Sequence, residues 1–86
     1  MAVINEEITA STQSAEVTPT KDTTDVLVET NSTGQIFLQG KVPGGNWENI
    51  TDQRGWFAVP TPDADITYRF AAHGISEATR VYFGAV

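Results

Sequence analysis

Cysteine is absent from this 86-residue chain, and histidine occurs once. The first absence excludes disulfides as a source of stability and leaves the redox compartment unreadable. Together the two exclude a zinc site built on thiolates or paired imidazoles. Basic residues are scarce: five Lys and Arg stand against eleven Asp and Glu, for a net charge of −6. Lys21, Lys41, Arg54, Arg69 and Arg80 are scattered singly along the chain. A nucleic-acid partner needs clustered cations to displace counterions from phosphates, and an anionic membrane surface needs the same, so neither is expected. The acidity reads as solubility and resistance to self-association. No apolar run approaches the ~20 residues of a membrane-spanning helix. The first residues, MAVINEEITASTQ, lack the basic n-region and apolar core of a secretory peptide, so synthesis and first folding in the cytoplasm are expected. Asn31-Ser32-Thr33 and Asn49-Ile50-Thr51 fit the glycosylation pattern, and with no export signal they read as chance matches.

Helical periodicity is missing as well. What is present is short alternation, threonine and aromatic residues, and turn residues at regular intervals. The stretch GQIFLQGKVPGGNWENITDQRGWFAV, residues 34–59, reads as three strands joined by two turns. Candidate strands are 23–30, 35–39, 47–51, 56–59, 65–71 and 78–83. The first two flank Asn31-Ser32-Thr33-Gly34 and read as an antiparallel hairpin. Pro60 and Pro62 break the ladder after Val59. The alternation is clearest in 65–71, where Ile66, Tyr68 and Phe70 share one face. The expected fold class is therefore all-β: a small antiparallel β-sandwich or barrel of about six to seven short strands. The expected core is Val26, Val28, Ile36, Leu38, Trp47, Phe57 or Trp56, Ile66, Tyr68, Phe70, Val81 and Phe83.

Residues 1–22 are expected to differ from the domain formed by 23–86. Past an apolar Val3-Ile4 and Ile8, the segment is small, polar and poor in core residues, so it reads either as a frayed terminus or as an extended N-terminal arm that gains order by pairing with the sheet of a neighbouring subunit or a host surface. Val3, Ile4, Ile8 and Val17 would be its anchors. A chain this short buries about 60–65% of the surface its unfolded form exposes. With disulfides and zinc excluded, oligomerisation or docking on a larger surface is the expected source of extra stability.

No catalytic, cofactor or metal site is expected. His73 lies in an Ala-Ala-His-Gly turn; Ser76 and Glu77 are close in sequence, which does not by itself make a nucleophile–base–carboxylate arrangement. Asp63 and Asp65, with Asp52 elsewhere, lack the spacing of an EF-hand and read as solvated turn residues. The aromatics have two uses. Trp47, Trp56, Tyr68 and Tyr82 either fill the core or line a sugar-stacking platform. Alternation cannot bury Trp56 and Phe57 on one face, so Trp47 and Trp56 are the candidate interface anchors.

The pieces Gly34-Gln35-Ile36-Phe37-Leu38-Gln39-Gly40, Gly44-Gly45-Asn46-Trp47, Ile50-Thr51, Gly55-Trp56-Phe57, Thr67-Tyr68-Arg69 and Val81-Tyr82-Phe83-Gly84 follow one another in an order that resembles small acidic all-β virion proteins of tailed bacteriophages. The resemblance spans about two-thirds of the chain, from Val26 to Gly84, and implies a capsid decoration (cement) protein. It implies a homo-oligomer, often a trimer, bound to the major capsid protein on the capsid surface of the virion after synthesis in the host cytoplasm. The alternatives are a carbohydrate- or receptor-binding accessory domain, or a tail or connector component, of a phage particle. The arm as attachment device belongs to the reading of residues 1–22, since the resemblance carries no arm sequence.

Overall fold

Period-two alternation becomes inward and outward faces of strands. The computed structural model describes residues 4–9, 11–19, 23–61 and 65–84. These form seven strands: β1 Ile4–Ile8, β2 Thr23–Val28, β3 Gln35–Lys41, β4 Glu48–Thr51, β5 Gly55–Pro60, β6 Thr67–His73 and β7 Thr79–Phe83. No helix occurs among the described residues. The strands build two antiparallel sheets, ordered β1-β7-β2-β5 and β4-β3-β6, which face each other as a small β-sandwich. Ile4, Ile8, Val26, Val28, Val59, Val81 and Phe83 point inward from the larger sheet, and Ile36, Leu38, Tyr68, Phe70 and Ala72 from the smaller. At the centre the Phe83 ring stacks on Tyr68 at 5.1 Å and meets Phe70 edge-on at 6.5 Å.

The connections depart from the hairpin expected between β2 and β3. Only β3 and β4 are both consecutive and paired; β2 to β3, β4 to β5, β5 to β6 and β6 to β7 each cross between sheets. The crossing after β2 is held by Arg54, whose guanidinium donates to the Glu29 carbonyl at 2.8 Å, the Ser32 hydroxyl at 3.1 Å and the Gly34 carbonyl at 3.1 Å. A loop pinned at three points to a residue on the far side of β4 leads away from its own sheet instead of folding back.

The arm expected to pair with a neighbouring subunit or host surface lies instead, over residues 4–8 and 11–19, against the chain's own sheets. β1 is an edge strand of the larger sheet, paired with β7 over its whole length from Ile4 opposite Phe83 to Ile8 opposite Thr79. Residues 11–19 then lie along the outer edge of β6. Ser14 N–H donates to the Phe70 carbonyl at 2.9 Å, Val17 and Tyr68 exchange two backbone bonds at 2.9 and 2.7 Å, and Ala72 N–H donates to the Thr12 carbonyl at 2.8 Å. Ser14 Oγ accepts from Phe70 N–H at 2.8 Å, and Ser11 Oγ from Gly74 N–H at 3.0 Å. One segment thus closes two edges that would otherwise present unpaired backbone groups. Ile4, Ile8 and Val17 are buried at 1%, 2% and 4% exposure, because the apolar side chains of an otherwise polar segment lose less by entering the chain's own core than by waiting for a partner. Val3 lies outside the described residues.

Where the loop after β2 turns into β3, Gly34 has φ 97°. A side chain there would collide with the Gly74 carbonyl and come within 2.9 Å of the His73 carbonyl oxygen. Gly34→Ala is therefore expected to cost about 1–3 kcal/mol or more through the left-handed backbone alone, read as a lowered thermal midpoint. Gly44 has φ 76° with nothing within 4 Å of a built Cβ, so Gly44→Ala measures the backbone term by itself. Equal midpoints for the two variants would remove the Gly74 contact from the account.

Candidate functional site

The most exposed large apolar side chain among the described residues is Trp56, at 66%. It sits on β5, an edge strand of the larger sheet. Phe57 and Val59 take the inward face of that strand, which leaves Trp56 and Ala58 outward. The register places Trp56 opposite Leu27, Leu27 opposite Tyr82, and Tyr82 opposite Asn5. One row therefore crosses all four strands on the outer face, in the order Asn5, Tyr82, Leu27, Trp56. The Trp56 and Tyr82 rings meet edge to face at 5.9 Å and 63° across Leu27.

Charge borders this row. Arg80 donates to the Asn5 side-chain oxygen at 3.0 Å, and the Glu29 carboxylate accepts from Arg80 N–H at 2.8 Å. Asp25 lies on the other side, opposite Ala58. Beside the indole a cleft of about 430 Å³ opens between Leu27, Glu29, Thr30, Asn31, Gly55 and Trp56. An aromatic anchor next to a cleft, with a polar rim around it, is the anatomy of a protein-binding patch.

Trp47 is placed differently from the core position expected of it. It is half-buried on the outside of the smaller sheet, with the Arg69 guanidinium 4.1 Å from the ring centre and Lys41 Nζ at 5.4 Å. Arg69 and Lys41 alternate with the inward Tyr68 and Gly40, so both cations leave the sheet on the side where the β3–β4 loop delivers the indole. Of the four aromatics considered for a sugar platform, Tyr68 is buried, at 3% exposure. Trp47 has its ring against two cations, and Trp56 and Tyr82 are inclined at 63°. No coplanar exposed pair arises among them.

A second apolar hollow, about 250 Å³, lies at the end of the β3–β4 hairpin between Val42, Ile50, Ile66 and Tyr68. Gly40 floors it: a side chain at that position would approach Ile50 Cδ1 at 3.0 Å. Val42 and Ile50 are 55% and 48% exposed, a feature that the expected assignment of strand 47–51 did not reveal.

The remaining candidates stay apart. His73 is exposed at the end of β6 with its ring 6.2 Å from Phe37. Ser76 Oγ is engaged by Thr33 N–H at 2.9 Å. Asp52 and Asp65 are exposed, and Asp63 lies outside the described residues. Among the described residues no three His, Asp or Glu side chains come together as metal ligands. Comparison with models of known families, with characterised proteins and with solved structures returns no match.

Proposed function

We propose that this chain is a non-enzymatic binding module that docks through the outer face of its larger sheet, with Trp56 as anchor. The observation that carries the reading is the 66% exposure of Trp56 at the end of a cross-sheet row that includes Leu27 and Tyr82. A monomer gains nothing by holding an indole in water, whereas burying it in a partner removes a large apolar area. Within that reading, the resemblance to phage virion proteins supports a capsid decoration protein on the surface of the virion, bound to the major capsid protein. A domain of 86 residues offers a small contact, and repetition over a lattice or within a homo-oligomer multiplies a weak contact by avidity.

Trp56→Ala is expected to leave the fold nearly unchanged, by under about 1 kcal/mol for a surface position. The same variant is expected to weaken attachment at least tenfold. Cosedimentation with purified heads that lack the protein measures attachment, and thermal melting controls for folding. Full occupancy by the variant would remove Trp56 from the interface. A copy number of a few per particle with ring symmetry would replace decoration by a tail or connector role.

A further inference from the structure

The outer face of the smaller sheet holds an arrangement that the Trp56 face does not use. Two of the chain's five cations, Arg69 and Lys41, lie against a single indole. Besides the indole, the side-chain partner of Arg69 is the uncharged Gln39, although the chain carries eleven acids. Arg69 is also held in a fixed attitude. Its Nε donates to Gln39 Oε1 at 2.9 Å, and Gln39 Nε2 donates in turn to Asn49 Oδ1 at 2.8 Å. These three residues form one row across β6, β3 and β4. Trp47 lies against the guanidinium and the Nε position is occupied; the Nη1–Nη2 edge has no hydrogen bond among the described residues. Among the described residues no buried side-chain nitrogen or oxygen is unpartnered, so that edge is not sealed from solvent.

A guanidinium held at Nε, set against an indole and with its fork unoccupied has already lost part of the freedom that binding would take from it. Its two parallel N–H donors match the two oxygens of a carboxylate. Lys41 adds a second positive charge beside the same ring. We propose that Arg69, Lys41 and Trp47 form a carboxylate-binding site, and that its occupant is an Asp or Glu side chain of a partner polypeptide. The net charge of −6 argues for a tethered carboxylate: the field of the whole chain repels a free small anion, whereas a side chain arrives with other contacts to offset that repulsion. The monovalent carboxylate suits a single fork better than a phosphate dianion, which the same field repels twice as strongly. The site lies on the opposite sheet from Trp56 and stands or falls independently of the reading given to that face.

Trp47 serves as the reporter. In a Trp56→Phe background, its fluorescence is followed at constant ionic strength during titration with a short Glu-rich peptide, with acetate and with inorganic phosphate. Saturable change is expected with the peptide, at least tenfold tighter than with acetate. Arg69→Lys, which keeps the charge and loses the fork, and Arg69→Gln are both expected to weaken the peptide at least tenfold, and Lys41→Gln by a smaller factor. Thermal melting of each variant shows that the sheet is intact. Peptide binding unaltered in Arg69→Gln, or absent in the parent, would overturn the site. Phosphate binding more tightly than the peptide would overturn the carboxylate assignment, and acetate equal to the peptide would overturn the tethered source.

Discussion

Phe83→Ala is expected to remove a large part of the chain's stability. Phe83 has no exposed surface. Its ring stacks on Tyr68 at 26° interplanar angle and meets Phe70 at 75°, so it joins the two sheets at the point where both supply aromatic rings. Across its own sheet it stands opposite Ile4 on one side and Val26 on the other. Removing a buried phenylalanine ring costs about 3–5 kcal/mol, because the cavity is only partly filled by relaxation. Stability of about 0.05–0.15 kcal/mol per residue gives a chain of 86 residues only about 4–13 kcal/mol in all. The loss is then about a quarter of the total at the least and all of it at the most. The denaturant midpoint, followed by circular dichroism, should fall accordingly, while Phe57→Ala, at a partly buried position beside the core, should move it less. A Phe83→Ala midpoint within 1 kcal/mol of the parent, on the scale of an ordinary surface substitution, would show that the sheets are joined elsewhere.

Phe83 and its partners are also where the sequence was most readable. In β6 Tyr68, Phe70 and Ala72 alternate with polar or small residues, and in β7 Val81 and Phe83 alternate with Arg80 and Tyr82, so inward Tyr68, Phe70, Val81 and Phe83 follow from the two-residue period. β1 defeats the same rule. Its inward positions are Ile4, Glu6 and Ile8, opposite Phe83, Val81 and Thr79, and the glutamate interrupts the pattern. Its carboxylate is accommodated because β1 is an edge and Ala15 N–H donates to Glu6 Oε2 at 2.8 Å. An inward charge on an edge strand is compatible with a sheet, but the partner that makes it so is nine residues away and in no regular element.

Trp56 and Trp47 divide along a similar line. Phe57 shares its face with Val59 two residues on, and Val59 is buried; that period places Trp56 outside without any structure, provided the strand is extended through residue 59. Trp47 lies outside a strand, so no period applies to it. Its location depends on Arg69 and Lys41 becoming diagonal neighbours when β3 pairs with β6, Gln39 opposite Arg69 and Lys41 opposite Thr67. A pairing between residues some thirty positions apart is invisible to local patterning, and so is the cation stack that depends on it. The crossing from β2 to β3 was missed for the same reason. Its clamp, Arg54, comes from beyond β4, whereas the turn residues between the strands suit a hairpin equally well.

The removal of residues 1–19 is expected to abolish folding, in contrast to the separable arm that their composition suggests. Ile4, Ile8 and Val17 are each at least 96% buried, and burial of such side chains is worth about 1.5–3 kcal/mol apiece. Three of them together match the lower half of the stability available to a chain of this size. The truncation also strips the N–H groups of Tyr68, Phe70 and Ala72 of their partners and leaves the outer edge of β7 without β1. The shortened chain should lack a cooperative melt and should aggregate through those edges. Addition of a peptide spanning residues 1–19 is expected to restore the melt, since an extended segment can complete an exposed sheet edge in trans. A cooperative transition of the shortened chain near the parent's midpoint would instead make the N-terminal segment an accessory. The distinction decides how attachment is measured: a truncated protein that fails to bind will have failed to fold, so the docking face is interrogated by Trp56→Ala in the full chain.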